Sequence, residues 1–163
     1  MSDLQKLRDQ IRHSAAHLLA EAVLKIYPDA KLTIGPAIED GFFYDFAIDE
    51  TFSQEDLVSI ERQMKRSIKR NTKFEGKELT KKEALIIYQD NPYKTEIINS
   101  MPEDEVITEY SHSNGNFVDL CKGGHVGKTG EIKAVKLLST AGAYWRGDEN
   151  NQMLQRIYGT AFE

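Results

Sequence analysis

Three of the four histidines and the one cysteine fall into two pairs with the same spacing, His13-x-x-x-His17 and Cys121-x-x-x-His125. Nitrogen and sulfur donors in a set of four are what zinc prefers, and three imidazoles with one thiolate would complete its tetrahedral shell. The same groups can instead hold and activate water directly, because histidine gives and takes protons near neutral pH. No glutamate follows His13 as a zincin motif requires, and Cys-x3-His departs from the Cys-x2-Cys of a local zinc finger. A lone Cys or His is ordinarily inert packing, but two pairs at matched spacing point to one site drawn from distant segments, with zinc possible and not required. Gly127-Lys128-Thr129 looks like the end of a phosphate-binding loop, yet Lys122 stands where that loop needs its first glycine, which excludes a nucleotide triphosphatase.

The elements that must position these residues are legible in outline. Leu4, Leu7, Ile11, Ala15, Leu18, Ala22 and Ile26 recur at three- and four-residue steps and predict one apolar stripe on a long N-terminal helix. His13 and His17 then lie one turn apart on the other side, beside Ala16, Ala20 and Leu24, where their imidazoles converge and the small alanines leave room. The segment Asp119-Leu120-Cys121-Lys122-Gly123-Gly124-His125 reads as a strand that breaks into a tight turn. Residues 31–38 and 42–48 read as a strand pair around a turn at Glu39-Asp40-Gly41, with Phe42, Tyr44 and Phe46 on one face and Phe43, Asp45 and Ala47 on the other. Helices are expected over 81–90 and 92–100, and strands over 106–110, 117–121 and 132–139. Without regular strand-helix alternation, the pattern favours an α+β fold: an antiparallel sheet packed with helices, the long N-terminal helix lining a catalytic cleft.

At 163 residues and 40% hydrophobic, the chain can bury one sizeable core, and a single domain over residues 1–163 is expected. There is no 18-residue apolar run and no charged-then-apolar leader, so the expectation is a soluble cytoplasmic protein without a membrane partner. One cysteine allows no disulfide framework, which suits a reducing compartment. The net charge of −5 hides an asymmetry: from Arg62 to Lys82 nine basic residues face two acids, leaving +7 there and −12 over the rest. Ser53 and Asp56 make a capping-box start, Leu57, Ile60, Met64 and Ile68 form a buried stripe, and Arg62, Lys65, Arg66, Lys69 and Arg70 project from the opposite side. That face is either solvated or a surface for phosphates.

Four segments in order, His-Ser-Ala-Ala-His-Leu-Leu (13–19), Ile-Gly-Pro-Ala-Ile-Glu-Asp-Gly-Phe-Phe-Tyr-Asp (34–45), Asp-Leu-Cys-Lys-Gly-Gly-His-Val (119–126) and Thr-Ala-Gly-Ala-Tyr-Trp-Arg-Gly-Asp (140–148), resemble the editing domain of bacterial-type threonyl-tRNA synthetase. Alanyl-tRNA synthetase editing domains share the two pairs, but residues 153–162 look like the threonyl junction into an aminoacylation core. The core's own signatures are absent, so the resemblance implies an editing domain that is normally joined to that core and cannot attach amino acids by itself. It implies hydrolysis of serine wrongly esterified to threonine tRNA, bound by its acceptor end, without a required cofactor. The carried-over catalytic positions are His13, His17, Lys94, Cys121 and His125, with Tyr44 and Asp119 binding substrate. The need for such a reaction follows from energetics, because one missing methyl discriminates by only about 1–3 kcal/mol. Two alternatives stay open: a free-standing deacylase for seryl-tRNA of alanine, and a non-catalytic zinc- and RNA-binding module.

Overall fold

The computed structural model describes residues 1–163. Helix α1 (Asp3–Ile26) starts at Ser2, whose hydroxyl accepts from the Gln5 N–H while the Gln5 side chain accepts from the Ser2 N–H, so both orphan donors are satisfied. The expected single stripe holds only loosely. Leu4 and Leu7 are exposed, whereas from Ile11 to Val23 every residue except the half-buried His13 is buried, including Arg12, Ser14 and Glu21. A helix enclosed on all sides has no solvent face to mark with polar residues, so periodicity misread this one.

The larger sheet is antiparallel throughout. Strand β3 (Gly41–Ala47) pairs along one edge with β1 (Lys31–Leu32) and β2 (Ala37–Ile38), and along the other with β8 (Met153–Phe162), which in turn pairs with β7 (Ala134–Tyr144). The strand expected over 31–38 is thus two short pieces. Pro36 has no N–H for a ladder, and the ring of Tyr44 occupies the space where a side chain at residue 35 would sit: a Cβ there would lie 2.1 Å from Tyr44 Cδ2. The expected turn is present, with Asp40 in the left-handed region at φ 62°. The alternation along β3 is as read, with Phe42, Tyr44 and Phe46 in the main core beneath α1. On the opposite face the Arg156 guanidinium lies 3.9 Å from the centre of the Phe43 ring and donates to both oxygens of Asp45 at 2.7 and 2.9 Å.

A smaller antiparallel sheet, β4 (Glu75–Leu79), β5 (Ile107–His112) and β6 (Phe117–Leu120), carries the second pair at its end. Helices α3 (Lys81–Ile87) and α4 (Pro92–Asn99) cover it, and Leu79, Ala84, Ile98, Ile107 and Leu120 form a satellite core between them. Helix α2 (Gln54–Arg70) begins with the expected capping box at Ser53 and Asp56 and buries Leu57, Ile60 and Met64 against α1. Helices set against antiparallel sheets make this an α+β fold, as expected.

Candidate active site

The two pairs meet. One donor atom from each of His13, His17, Cys121 and His125 lies within 4.8 Å of all the others. One turn of α1 separates the first two imidazoles, whose rings sit 5.2 Å apart and nearly perpendicular. His125 stacks on His13 at 4.2 Å and 19°, and meets His17 edge-on at 4.4 Å. Its second face is closed by Phe74, parallel at 4.8 Å. Backbone geometry makes this possible: β6 ends at Leu120, and Gly123 and Gly124 take φ values of +96° and +85°, which side chains rarely adopt, turning the chain so that residues 121 and 125 point back at α1.

Burial sets the charge of these groups. It lowers the pKa of His13, although the carbonyls of Gly124 and Gly123 oppose the shift. It pushes His17 well down, helped by the electrostatic influence of His13, His112 and Lys94 close by. His125 is likewise driven down, first by burial and then by His17 and His13. Burial also pushes the Cys121 thiol up to about 12. The cluster at neutral pH is therefore three neutral imidazoles and a protonated thiol, with lone pairs on nitrogen and no thiolate nucleophile.

A second group abuts the first. Lys94, on α4, is buried rather than solvated; its ammonium donates to the Thr33 carbonyl at 2.6 Å and to Asp119 Oδ1 at 2.8 Å, and lies 3.5 Å from the Tyr44 hydroxyl. Tyr44 donates to Asp119 Oδ2 at 2.5 Å, and the Leu120 N–H donates to Oδ1 at 2.9 Å. Burial and the adjacent Asp119 carboxylate hold the Tyr44 phenol well above its usual pKa, so it remains a donor. Asn91 starts α4 by accepting from the N–H groups of Tyr93 and Lys94, and its amide reaches the Leu32 carbonyl at 2.8 Å. The helix that carries Lys94 is thereby tied to the edge of the larger sheet.

A cavity of about 640 Å³ opens onto both groups. His13, His17, Tyr44, Lys94, Asp119 and Cys121 line it, with an apolar wall that includes Ile34, Pro36, Ile97, Met101 and Val106. His125 is not on the wall; it stands behind His13 and Cys121. The basic residues Arg62, Lys65, Arg66, Lys69 and Arg70 are exposed on the outer side of α2 and contribute nothing to the cavity. Lys65 there pairs with Glu61 at 3.1 Å.

Sequence reasoning missed Ser14. Fully buried between the two α1 histidines, it accepts from the Val126 N–H at 3.0 Å and bonds His125 Nδ1 at 3.0 Å. A serine inside an apolar helical run is the one available signal, since a buried hydroxyl needs a partner. The fourth histidine, His112, lies outside the two pairs; it is buried beside Phe117, with its Nε2 3.4 Å from Glu21 on α1. Burial alone would raise the pKa of Glu21, but the adjacent His112 and Ser113 side chains and the hydrogen bond from the Ser67 hydroxyl at 2.6 Å outweigh it and hold the carboxyl at about 2.

The four donors of the cluster suit zinc by type. Zn–N and Zn–S bonds of about 2.0–2.3 Å put tetrahedral ligands roughly 3.3–3.8 Å apart, so the set would close by about an ångström around an ion. Nδ1 of His17 is buried with no protein partner.

Residues 108–158 match the family described as the threonyl and alanyl tRNA synthetase second additional domain. Threonine-tRNA ligase of Clostridium tetani is 55% identical over 162 residues, 98% of this chain and 25% of that protein. The same enzyme name is carried by relatives from Acetivibrio thermocellus, 54% identical over 157 residues, and Staphylococcus carnosus, 53% identical over 152. The chain spans about a quarter of the length of these relatives.

Proposed function

From a chain that matches the second additional domain of threonyl and alanyl tRNA synthetases, we propose that it is a single tRNA-editing domain, residues 1–163, that hydrolyses seryl-tRNA of threonine in the cytoplasm as the proofreading part of a threonine-tRNA ligase. The observation that supports this reading is the convergence of the two pairs beside a cavity that His13, His17 and Cys121 line together with the buried Lys94–Asp119–Tyr44 group. Water held by His13 and His17 attacks the ester carbonyl carbon, and a neutral imidazole takes the water's proton. Lys94 faces the oxygen that becomes negative in the tetrahedral intermediate, where a preorganised cation acts most strongly. The bond to the terminal ribose oxygen then breaks, that oxygen receives the proton, and serine and free tRNA leave. Cys121 orients rather than attacks, because its thiol stays protonated. Asp119, a substrate-binding position by the resemblance, also holds Lys94 and Tyr44 as donors through its two paired oxygens.

The test is to assay the chain on seryl-tRNA of threonine, threonyl-tRNA, and seryl-tRNA of alanine. Fast hydrolysis of the first alone is expected, because the pocket need only reject an added methyl by steric clash. Equal rates on the first two would sink the editing assignment, and preference for the third would favour the alanine-tRNA deacylase.

The compact donor set supports a second reading, a structural zinc site in an RNA-binding module. Zinc held by His13, His17, Cys121 and His125 would be closed by four protein ligands; with one released it would supply a Lewis acid. Chelation, verified by elemental analysis, is expected to leave a folded protein still active on seryl-tRNA. Loss of activity restored by stoichiometric zinc would assign the four residues as metal ligands.

The exposed basic face of α2 supplies phosphate contacts away from the cavity. Replacing Arg62, Arg66 and Lys69 with alanine together is expected to weaken binding of matched and unmatched tRNA alike and to flatten the dependence of affinity on salt by about three charges. Unchanged affinity and slope, measured by titration at several salt concentrations, would mean that the tRNA docks elsewhere.

A further inference from the structure

We infer that Ser14 is a positioning residue that fixes the tautomer of His125, placing its proton on Nε2 towards Cys121, so that the second pair donates into the site and the base function falls to the α1 histidines. The inference rests on the editing reading only for its kinetic consequence; the proton's place follows from geometry.

Ser14 Oγ accepts the Val126 N–H at 3.0 Å, which fixes where the oxygen sits and which lone pair is used. The hydroxyl has one proton of its own, and its one acceptor in reach is His125 Nδ1, also at 3.0 Å. A buried hydroxyl proton without an acceptor is costly, so the proton goes to Nδ1. A neutral imidazole carries a single proton, and with Nδ1 accepting, that proton is on Nε2. Nε2 lies 3.2 Å from Cys121 Sγ, which receives it as an acceptor. The Cys121 S–H is then free to turn towards the cavity, which Cys121 lines and His125 does not. Phe74, parallel to the His125 ring at 4.8 Å, and His13, stacked on the other side at 4.2 Å, prevent the ring from rotating to exchange its nitrogens. The chain Val126 N–H, Ser14 O–H, His125 N–H, Cys121 thus runs in one direction and ends at the substrate side.

The measurement is the ¹⁵N NMR of the His125 ring in the chelated 163-residue protein, alongside single-turnover hydrolysis of seryl-tRNA of threonine. In the wild type His125 is expected as the Nε2–H tautomer. In Ser14→Ala that preference is expected to be lost, and kcat to fall about 10- to 100-fold with KM within about twofold, the range typical of partners that orient a site residue. Ser14→Thr keeps the hydroxyl and is expected to restore the Nε2–H tautomer, which keeps the inference testable if the alanine variant does not fold. A wild-type His125 protonated on Nδ1, or a tautomer unchanged in Ser14→Ala, would overturn it. A wild type that shows the Nε2–H tautomer but no hydrolysis would support the assignment of the proton and defeat the editing reading instead.

Discussion

His13→Ala is expected to slow hydrolysis of seryl-tRNA of threonine by about 10²-fold or more, the usual cost of removing a group that carries a proton in the transition state. Of the three clustered imidazoles His13 and His17 are on the cavity wall, and of these two His13 is the more open: it is half-buried while His17 is buried, and His125 stands behind the wall. Burial keeps it neutral and so able to accept a proton, and the opposing carbonyls of Gly124 and Gly123 keep it from being driven down as far as its neighbours. Single-turnover rates of the variant and the wild type decide the matter. A rate within about twofold of wild type would leave His13 as packing and move the base to His17.

Asp119→Ala is expected to destabilise the protein by about 3–5 kcal/mol, read from urea or thermal unfolding, because it strands a buried ammonium. Lys94 and Asp119 have side-chain exposures of 4% and 2%, and the same carboxylate is the acceptor for Tyr44. Removing both charges is expected to cost less than the sum of the two single losses, since no uncompensated ion then remains; Asp119→Ala combined with Lys94→Met measures that coupling. A loss below about 1 kcal/mol in Asp119→Ala would show that the Thr33 carbonyl alone holds Lys94.

What the sequence disclosed depended on how each element is exposed. α2 was legible to its cap, because it lies on the surface with one apolar and one basic side, and the period of its hydrophobic residues survives intact. β8 was not read as a strand at all, though it is the middle of the larger sheet. Its inward positions are Ile157, Gly159 and Ala161, and two of these are too small to register as an apolar alternation; Gly159 lies under the Phe42 ring, where a Cβ would come within 2.5 Å. β4 escaped for the opposite reason. As an edge strand, Glu75-Gly-Lys-Glu-Leu79 exposes all but its last residue, and charges at an edge are a defence against further pairing, not a strand signal. The histidine and cysteine pairs declared themselves by type and spacing, and the family resemblance supplied Lys94, Tyr44 and Asp119. That these three bond to one another, and that Ser14 links the two pairs, depends on elements separated by dozens of residues and is invisible to local pattern.

The central place of β8 bears on how the protein is made. One side of α1, which packs on α2 and β3 as well, has no cover until a strand about 130 residues further on inserts between β3 and β7 and lays the Ala161 carbonyl against Arg12. At about 5–20 residues per second, the nascent helix waits on the order of ten seconds for its partner. During that interval one side of the helix stays unshielded at the ribosome, a natural client for holding chaperones. The two histidines of α1 are synthesised about a hundred residues before the cysteine and histidine that complete their surroundings.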